Sequence, residues 1–396
     1  MGEVTPVGAG SELLRQIGFG RGGERGRSRL PEPGWGRRPM IHFFPMFGAH
    51  AADTEFGQAL REIGVPHRIF AANVSRSYRS RAELTLVVLP RILVFALRSA
   101  WASLVRSRPA PDAVVISSDI EALVFAGIRR LSGLRSTRIV LSPFIYTSRR
   151  QPWLERLRRA YYARVMRCVD VAIVHSRLEL TRYAALFPRA ATRYEFVPYG
   201  LTVAGRLDFI AASSLPGPRP VLVSAGRSGR DYTTLFAAVA GLPVETHIVC
   251  DLASVVPPLP ADGSVVVFDR CHNTDLVRAL AGAAAVIVPL SVADISAGQM
   301  VLVQAKALHR PLIVSDTPTV RDYVTDGKDG LLVPIGDAQA LRAAIQRLLA
   351  DPVLQASLSA NAAASYARDH DTIGFLRRII AAIDATAPEP RNAHAS

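Results

Sequence analysis

Lysine is almost missing from this chain: among 396 residues only Lys306 and Lys328 are lysines, so arginine carries nearly all of a formal net charge of +14. Cysteine is scarce as well. Cys168, Cys250 and Cys271 are scattered and odd in number, which excludes a disulfide framework and any metal-ligand spacing. A reducing compartment is expected, with no disulfide-linked partner and no metal. No zinc pattern, aromatic RNA-binding signature or basic recognition helix is present, so nucleic acid is not the expected partner. No long apolar run goes unbroken. The longest, 84–105, is interrupted by Pro90, Arg91 and Arg98, whereas a spanning helix needs about 20 apolar residues. It predicts a buried or half-buried helix starting at Pro90, with a membrane-surface helix as the alternative. Residues 1–39 lack the continuous apolar region of a signal peptide. Rich in Gly, Arg and Pro, they read as a disordered basic arm.

What is present is the composition of a well-cored protein, 49% hydrophobic and 20% charged. The length suits two domains of ordinary size. Charge is uneven between them. Residues 1–205 hold 31 Arg against 15 Asp+Glu, a net of +16, whereas residues 206–396 hold 16 Lys+Arg against 18 Asp+Glu, a net of −2. A basic first half suits an anionic membrane surface or a lipid-phosphate acceptor. General arginine enrichment is the plainer reading.

Short apolar runs alternate with helical patterns, which predicts βαβ units and mostly parallel sheets. In the first half, strands are expected at 40–44, 66–70, 113–117, 139–142, 171–175 and 195–198. Helices are expected at 54–63, 90–106, 119–132, 152–168 and 177–186. Gly, Ser and Pro at 206–219 give a linker. Strands then recur at 221–224, 246–250, 265–268, 285–289, 311–315 and 331–333. Helices are expected at 231–240, 276–282, 298–308, 338–350 and 352–368, with a short one at 319–324. The predicted fold is α/β: two consecutive doubly wound, Rossmann-like domains, 40–205 and 220–370, with a cleft between them. A terminal helix within 371–386 is expected to pack back on the first domain, followed by a polar tail, 387–396. Ligands in such sheets bind at the carboxyl ends of the strands.

The most informative stretch is a strand at 285–289, a loop, and a helix opened by Ser296-Ala-Gly-Gln299. Free N–H groups and the helix dipole at that end suit a diphosphate, and Gly298 permits close approach of backbone to ligand. Gln304-Ala-Lys-Ala-Leu-His-Arg-Pro-Leu-Ile, Ser315-Asp316 and Asp326-Gly-Lys-Asp-Gly-Leu-Leu-Val follow in order. Upstream stand Val221-Leu-Val-Ser-Ala-Gly-Arg227, Asp170-Val-Ala-Ile-Val-His-Ser176 and Val197-Pro-Tyr-Gly200. Together these resemble glycosyltransferase family 4, well over 221–350 and loosely before it.

The resemblance implies a GT-B fold and sugar transfer from a UDP- or GDP-sugar, with retention. The acceptor would be lipid-linked, a polysaccharide or a small molecule. No cofactor or metal is implied, and the expected location is cytoplasmic, peripheral at the inner membrane face. Gly226, Arg227, Ala297, Gly298 and Gln299 are implied at the donor diphosphate. His272, Asn273 and Gln304 are implied at the nucleoside. Phe47, Gly48 and Tyr146 are implied on the acceptor side of the cleft.

The departures are specific. The family's two glutamates, eight positions apart, are Ser296 and Gln304 here. Gln304 keeps an acceptor oxygen for a ribose hydroxyl. Ser296 supplies no charge, which leaves Asp294 as the candidate carboxylate toward the sugar. The family lysine after Gly-Arg is absent, and Arg230 is the candidate replacement. Its acceptor-side histidine is replaced within Pro143–Tyr146. A non-catalytic GT-B scaffold that keeps the fold, and perhaps nucleotide binding, is the competing reading.

Overall fold

Val, Ile, Leu and Ala fill most of the strands, and β3, β5, β10 and β11 below are buried at every position. Strands apolar on both faces need helices on both faces, which is how parallel sheets are built. The computed structural model describes residues 39–45, 55–71, 81–148, 151–188, 190–201, 219–251, 255–269 and 274–386. The expected basic arm, the linker up to 218 and the tail lie outside the described residues, as do Phe47, Gly48, His272 and Asn273.

The first lobe is one six-stranded sheet of order β2-β1-β3-β4-β5-β6. Its strands are β1 Ile41–Phe43, β2 His67–Ile69, β3 Ala113–Ile116, β4 Arg138–Leu141, β5 Val171–Val174 and β6 Arg193–Phe196. All pair in parallel. Helix α1 (Glu55–Ile63) joins β1 to β2. A long helix, α2, occupies 81–106 and leads back to β3. Then come α3 (Asp119–Leu131), α4 (Pro152–Met166) and α5 (Arg177–Leu186). Alternate residues of β1 serve opposite faces. His42 bonds Ser103 of α2, whereas the Phe43 ring meets Phe56 of α1 edge-on.

The second lobe repeats the plan with order β12-β11-β10-β7-β8-β9. Its strands are β7 Val221–Ala225, β8 Glu245–Val249, β9 Val265–Phe268, β10 Ala285–Val288, β11 Leu312–Ser315 and β12 Leu331–Val333. Its helices are α6 (Tyr232–Val239), α7 (Thr274–Ala281), α8 (Gln299–Ala307), α9 (Ala338–Ala350) and α10 (Pro352–Asp369). Two apolar clusters pack on it, one including Leu302 and Val303 of α8, the other including Ile345 and Leu348 of α9. The last helix, α11 (Thr372–Asp384), lies against α1 and β5 of the first lobe. Arg193 donates to the Ala385 carbonyl at 3.0 Å.

Three expectations are corrected. Helix α2 begins at Arg81, nine residues before the expected start at Pro90, and runs through that proline. The turn ahead of the proline, Leu84–Val88, is a π-helix in which the Leu89 N–H reaches back to the Leu84 carbonyl. That widened turn takes up the missing donor and the ring clash that proline brings to a helix interior. The helix is half-buried: Val88, Ile92, Ala96 and Ala100 are covered, whereas Leu86 is 75% and Trp101 53% exposed. Residues 319–324 form a run of turns, not a helix. There the Thr317 hydroxyl caps the Val320 N–H at 3.1 Å and meets Thr319 at 3.0 Å, a local bonding pattern that competes with helix. Strand β6 starts at Arg193 instead of Glu195. As an edge strand it tolerates charge that periodicity reads as loop.

Candidate active site in the second lobe

In the second sheet the chain steps from β7 to β8 and β9, then returns to β10 on the other side of β7. Beyond the carboxyl ends of β7 and β10 this reversal opens a crevice, the expected position for a ligand. The two loops that rim it are Gly226–Arg230 and 289–298. They are tied by Asp231 N–H to the Pro289 carbonyl at 3.0 Å and Ser291 N–H to the Gly229 carbonyl at 2.9 Å.

Arg230 forms the floor between the loops. Its Nε donates to the Ala225 carbonyl at 2.8 Å and its Nη1 to the Ser228 carbonyl at 2.9 Å. Burial holds its affinity for a proton below the usual arginine range. Two glycines make room for it. A Cβ on Gly226 would stand 2.7 Å from Arg230 Nη2, and one on Gly298 would stand 2.9 Å from Val288 and 3.6 Å from Arg230 Nη1. Both have positive φ, 104° and 91°, which glycine adopts without penalty. Arg230 is thus a built-in cation under the crevice, anchored by carbonyls rather than swinging freely as a phosphate clamp. Arg227 lies at the rim, about one-third exposed and paired with Asp251 at 3.2 Å.

Helix α8 points its first turn into this crevice. Gly298 is its N-cap residue and offers no side chain to cap it. Among the described residues, the N–H groups of Ala297, Gly298 and Gln299 find no acceptor. The buried Gln299 amide nitrogen also lacks a partner, as does the Gln304 amide oxygen one turn on. Unsatisfied buried polar atoms are uncommon and call for a ligand or water. The Arg230 guanidinium lies beside the Gly298 end of this helix, and Arg227 follows Gly226 on the facing loop. Among the described residues, no group of three His, Cys, Asp or Glu is placed to hold a metal ion.

Three expected site residues are placed differently. Asp294 is not a spare carboxylate, although its side chain is exposed. It pairs with Arg182 of α5 at 2.7 Å. Ser296 is buried and occupied: its N–H and its hydroxyl both donate to the Glu179 carboxylate, at 2.9 and 2.8 Å. Tyr146 is fully buried. Its hydroxyl donates to Glu155 at 2.8 Å, inside an aromatic cluster with Tyr162 and Phe187, so it lines no cleft.

Glu179 is the residue that sequence reading missed. It sits on the first turn of α5, three residues after the N-cap Ser176. Ser-x-x-Glu is a capping-box pattern, repeated at Ser118 and Glu121, and a cap is all it implies by itself. In the folded chain Glu179 accepts from four donors: Ser296 twice, the His175 N–H at 3.2 Å and the Tyr183 hydroxyl at 3.2 Å. It is wholly buried. A first-lobe carboxylate therefore stands beside the position where the resembled family has its own. Further bonds join the lobes nearby. Asp322 accepts from the Ser176 hydroxyl and the Arg177 N–H, both at 2.8 Å. The Tyr323 hydroxyl accepts from the Tyr199 N–H and donates to the His175 carbonyl, both at 2.8 Å. Replacing Glu179→Ala strands several buried donors and is expected to destabilise the protein by about 3 kcal/mol. Glu179→Gln should cost less, since the amide keeps one acceptor. Urea denaturation of both variants checks the order, and equal stability for Ala and wild type would contradict it.

Residues 234–351 match the family model described as Glycosyl transferases group 1. This lobe is a glycosyltransferase domain. No curated protein matches the chain significantly. Among solved structures, the chain is similar to a sucrose-phosphate synthase from Thermosynechococcus elongatus, at 18% identity and a TM-score of 0.63, over 88% of this chain and 100% of that one. It is similar to an α,α-trehalose 6-phosphate synthase from Burkholderia multivorans, at 13% identity and a TM-score of 0.62, over 88% and 99%. It is also similar to Anabaena HepE in complex with UDP-glucose, at 14% identity and a TM-score of 0.57, over 88% and 100%. At these identities the likeness is one of fold, and that fold is GT-B: two Rossmann-like lobes, the second carrying the glycosyltransferase domain.

Proposed function

We propose that the protein transfers a sugar from a UDP- or GDP-sugar to a lipid-linked, polysaccharide or small-molecule acceptor, with retention. The observation that carries this reading is the Arg230 guanidinium lying beside the uncapped start of α8 at the second lobe's crevice. Three open N–H groups at the start of α8, the half-buried Arg230 and the rim Arg227 would together present positive charge to a diphosphate. A departing nucleoside diphosphate needs that charge as the sugar becomes oxocarbenium-like. The Gln304 oxygen, without a donor of its own, suits a ribose hydroxyl. Asp294 and Ser296, held by Arg182 and Glu179, position the loop ahead of α8 instead of attacking or protonating the donor.

A second reading, a partner subunit that binds nucleotide without transferring sugar, draws on a different observation: both residues expected to face the sugar are engaged by the first lobe. Calorimetric titration with UDP, GDP and their sugars, alongside a transfer assay, separates the two. Arg227→Ala should weaken nucleotide binding about 10- to 100-fold, the worth of one charge-assisted hydrogen bond, and Gln304→Leu about tenfold. Binding without turnover across the panel would favour the partner subunit. Neither binding nor turnover would defeat both.

A further inference from the structure

The first lobe carries a surface that the donor crevice does not use. Helices α2, α3 and α4 follow one another in the chain, each between parallel strands, and pack side by side, α2 on α3 and α3 on α4. Right-handed crossovers toward successive strands put all three on one face of the sheet. The outward side of that layer is unusual at both flanks.

On α2 the inner arc, including Val88, Ile92, Ala96 and Ala100, is buried. The outer arc is also apolar: Leu86, Leu93, Val94, Leu97 and Trp101 are 75, 43, 47, 47 and 53% exposed. Their spacing of three, four and seven residues places them along one stripe. Arg91 and Arg98, seven residues apart and exposed, border it. The other flank repeats the theme. Helix α4 exposes Trp153, Leu157 and Tyr161 at intervals of four, at 61, 63 and 39%. Arg156 and Arg159 stand exposed around them. Single exposed apolar residues are ordinary, but two ridges on one face are not.

Between the ridges, α3 and α4 part to leave a cavity of about 670 Å³. Five arginines line it: Arg129, Arg130, Arg135, Arg164 and Arg167, with no acidic residue in the lining. Arg129 is committed to Asp170 at 2.6 Å. Among the described residues the other four have no acidic partner. They cluster at the carboxyl ends of α3 and α4, hence at the edge of the sheet opposite the carboxyl ends of the strands. Two cationic groups would satisfy two helix termini; four uncompensated ones leave a standing demand for anions.

Length and composition would let 84–106 cross a membrane. Packing argues against it: the inner arc of α2 is spent on α3, and both its ends lead into strands of one sheet. Apolar ridges bordered by arginine instead fit a surface that is hydrocarbon below and phosphate above. A polyanion such as nucleic acid would use the arginines and leave the leucines in water. We propose that the α2–α4 face of the first lobe docks on a bilayer bearing acidic phospholipid, with the arginine cavity receiving headgroup phosphates. This inference stands apart from the donor chemistry, since it survives even if the protein transfers no sugar.

Sedimentation of the full chain with vesicles tests it. Binding is expected to vesicles of phosphatidylcholine containing phosphatidylglycerol, and to fall at least about tenfold on pure phosphatidylcholine or at high salt. Residues 1–38 carry arginines of their own, so the decisive comparisons are variants of the face. The pair Leu93→Glu and Leu97→Glu, and separately the pair Arg130→Glu and Arg164→Glu, should each weaken binding at least about tenfold while nucleotide titration is unchanged. All four positions are exposed, and circular dichroism checks the fold. In a Trp35→Phe background, brominated acyl chains should quench Trp101 and Trp153 emission. Wild-type affinity in both pairs would overturn the proposal. So would unquenched tryptophans on bound vesicles, or oligonucleotide binding without vesicle binding.

Discussion

Acidifying the protein from pH 7 to pH 4 should strip away on the order of 9 kcal/mol of stability through three buried histidines alone, at about 3 kcal/mol each. His42, His175 and His370 are each pushed down from 6.5 to about 4, in every case mainly by burial. Each uses Nδ1 locally: His42 with Ser103 at 2.8 Å, His175 with the Val197 carbonyl at 2.8 Å, His370 with the Tyr199 carbonyl at 3.1 Å. The sign follows from the unfolded chain, which takes up protons near 6.5 while the folded chain resists until about 4. The unfolded state therefore binds more protons throughout that window. Stability is complete above pH 6.5, declines by about 2 kcal/mol per histidine by pH 5, and levels off below pH 4. Set against a usual 5–15 kcal/mol, such a loss approaches unfolding. Denaturant titrations at pH 7 and pH 4.5 measure it. Carboxylates also contribute to acid unfolding, so the test is differential. His175→Gln keeps a donor for the Val197 carbonyl, and its pH profile should flatten by roughly 3 kcal/mol at most. An unchanged profile would show that His175 does not drive the transition. His175 and His370 sit where the lobes meet, beside Tyr323, so that junction is expected to open first.

Asp329→Ala should destabilise the second lobe by about 3–5 kcal/mol. The reason is Lys306, a wholly buried ammonium on α8. It donates to Asp329 at 2.8 Å, to the Ser365 hydroxyl at 2.9 Å and to the Tyr323 carbonyl. Removing the carboxylate leaves an uncompensated buried charge, and burial already pulls the lysine's proton affinity down. Asp329 also accepts from the Thr325 N–H at 2.7 Å, which fixes the turn through Gly327. The double variant Lys306→Met with Asp329→Asn removes both charges and should recover most of the loss. Thermal melts of the single and double variants decide it. A double variant as unstable as the single one would show that packing of the turn, not charge, carries the stability.

These two cases mark where sequence reading stopped. The spacing of Gln304-Ala-Lys-Ala placed Lys306 correctly on a helix, but surface exposure is the default for a lysine. The return of the Asp326–Gly330 turn over α8 and the packing of α10 against it bury the lysine. The strand Val265–Phe268 was readable to the residue, because a short apolar run between turns has few alternatives. Pro90 misled, since it reads as a helix start and the widened π turn that hides it has no sequence signature. Tyr146 was assigned to the cleft by its place after β4, and its side chain turned inward to Glu155.

The sequence by itself determined two doubly wound lobes and the strand–loop–helix unit whose helix is capped at Gly298. These follow from periodicity and local backbone demands, which act within about ten residues. The tertiary structure alone decided what fills that unit's neighbourhood. Glu179 reaches Ser296 across 117 positions and Arg182 reaches Asp294 across 112. Charges so far apart in the chain can meet only after both sheets have formed, and which carboxylate reaches a donor first is a matter of distance in the folded molecule.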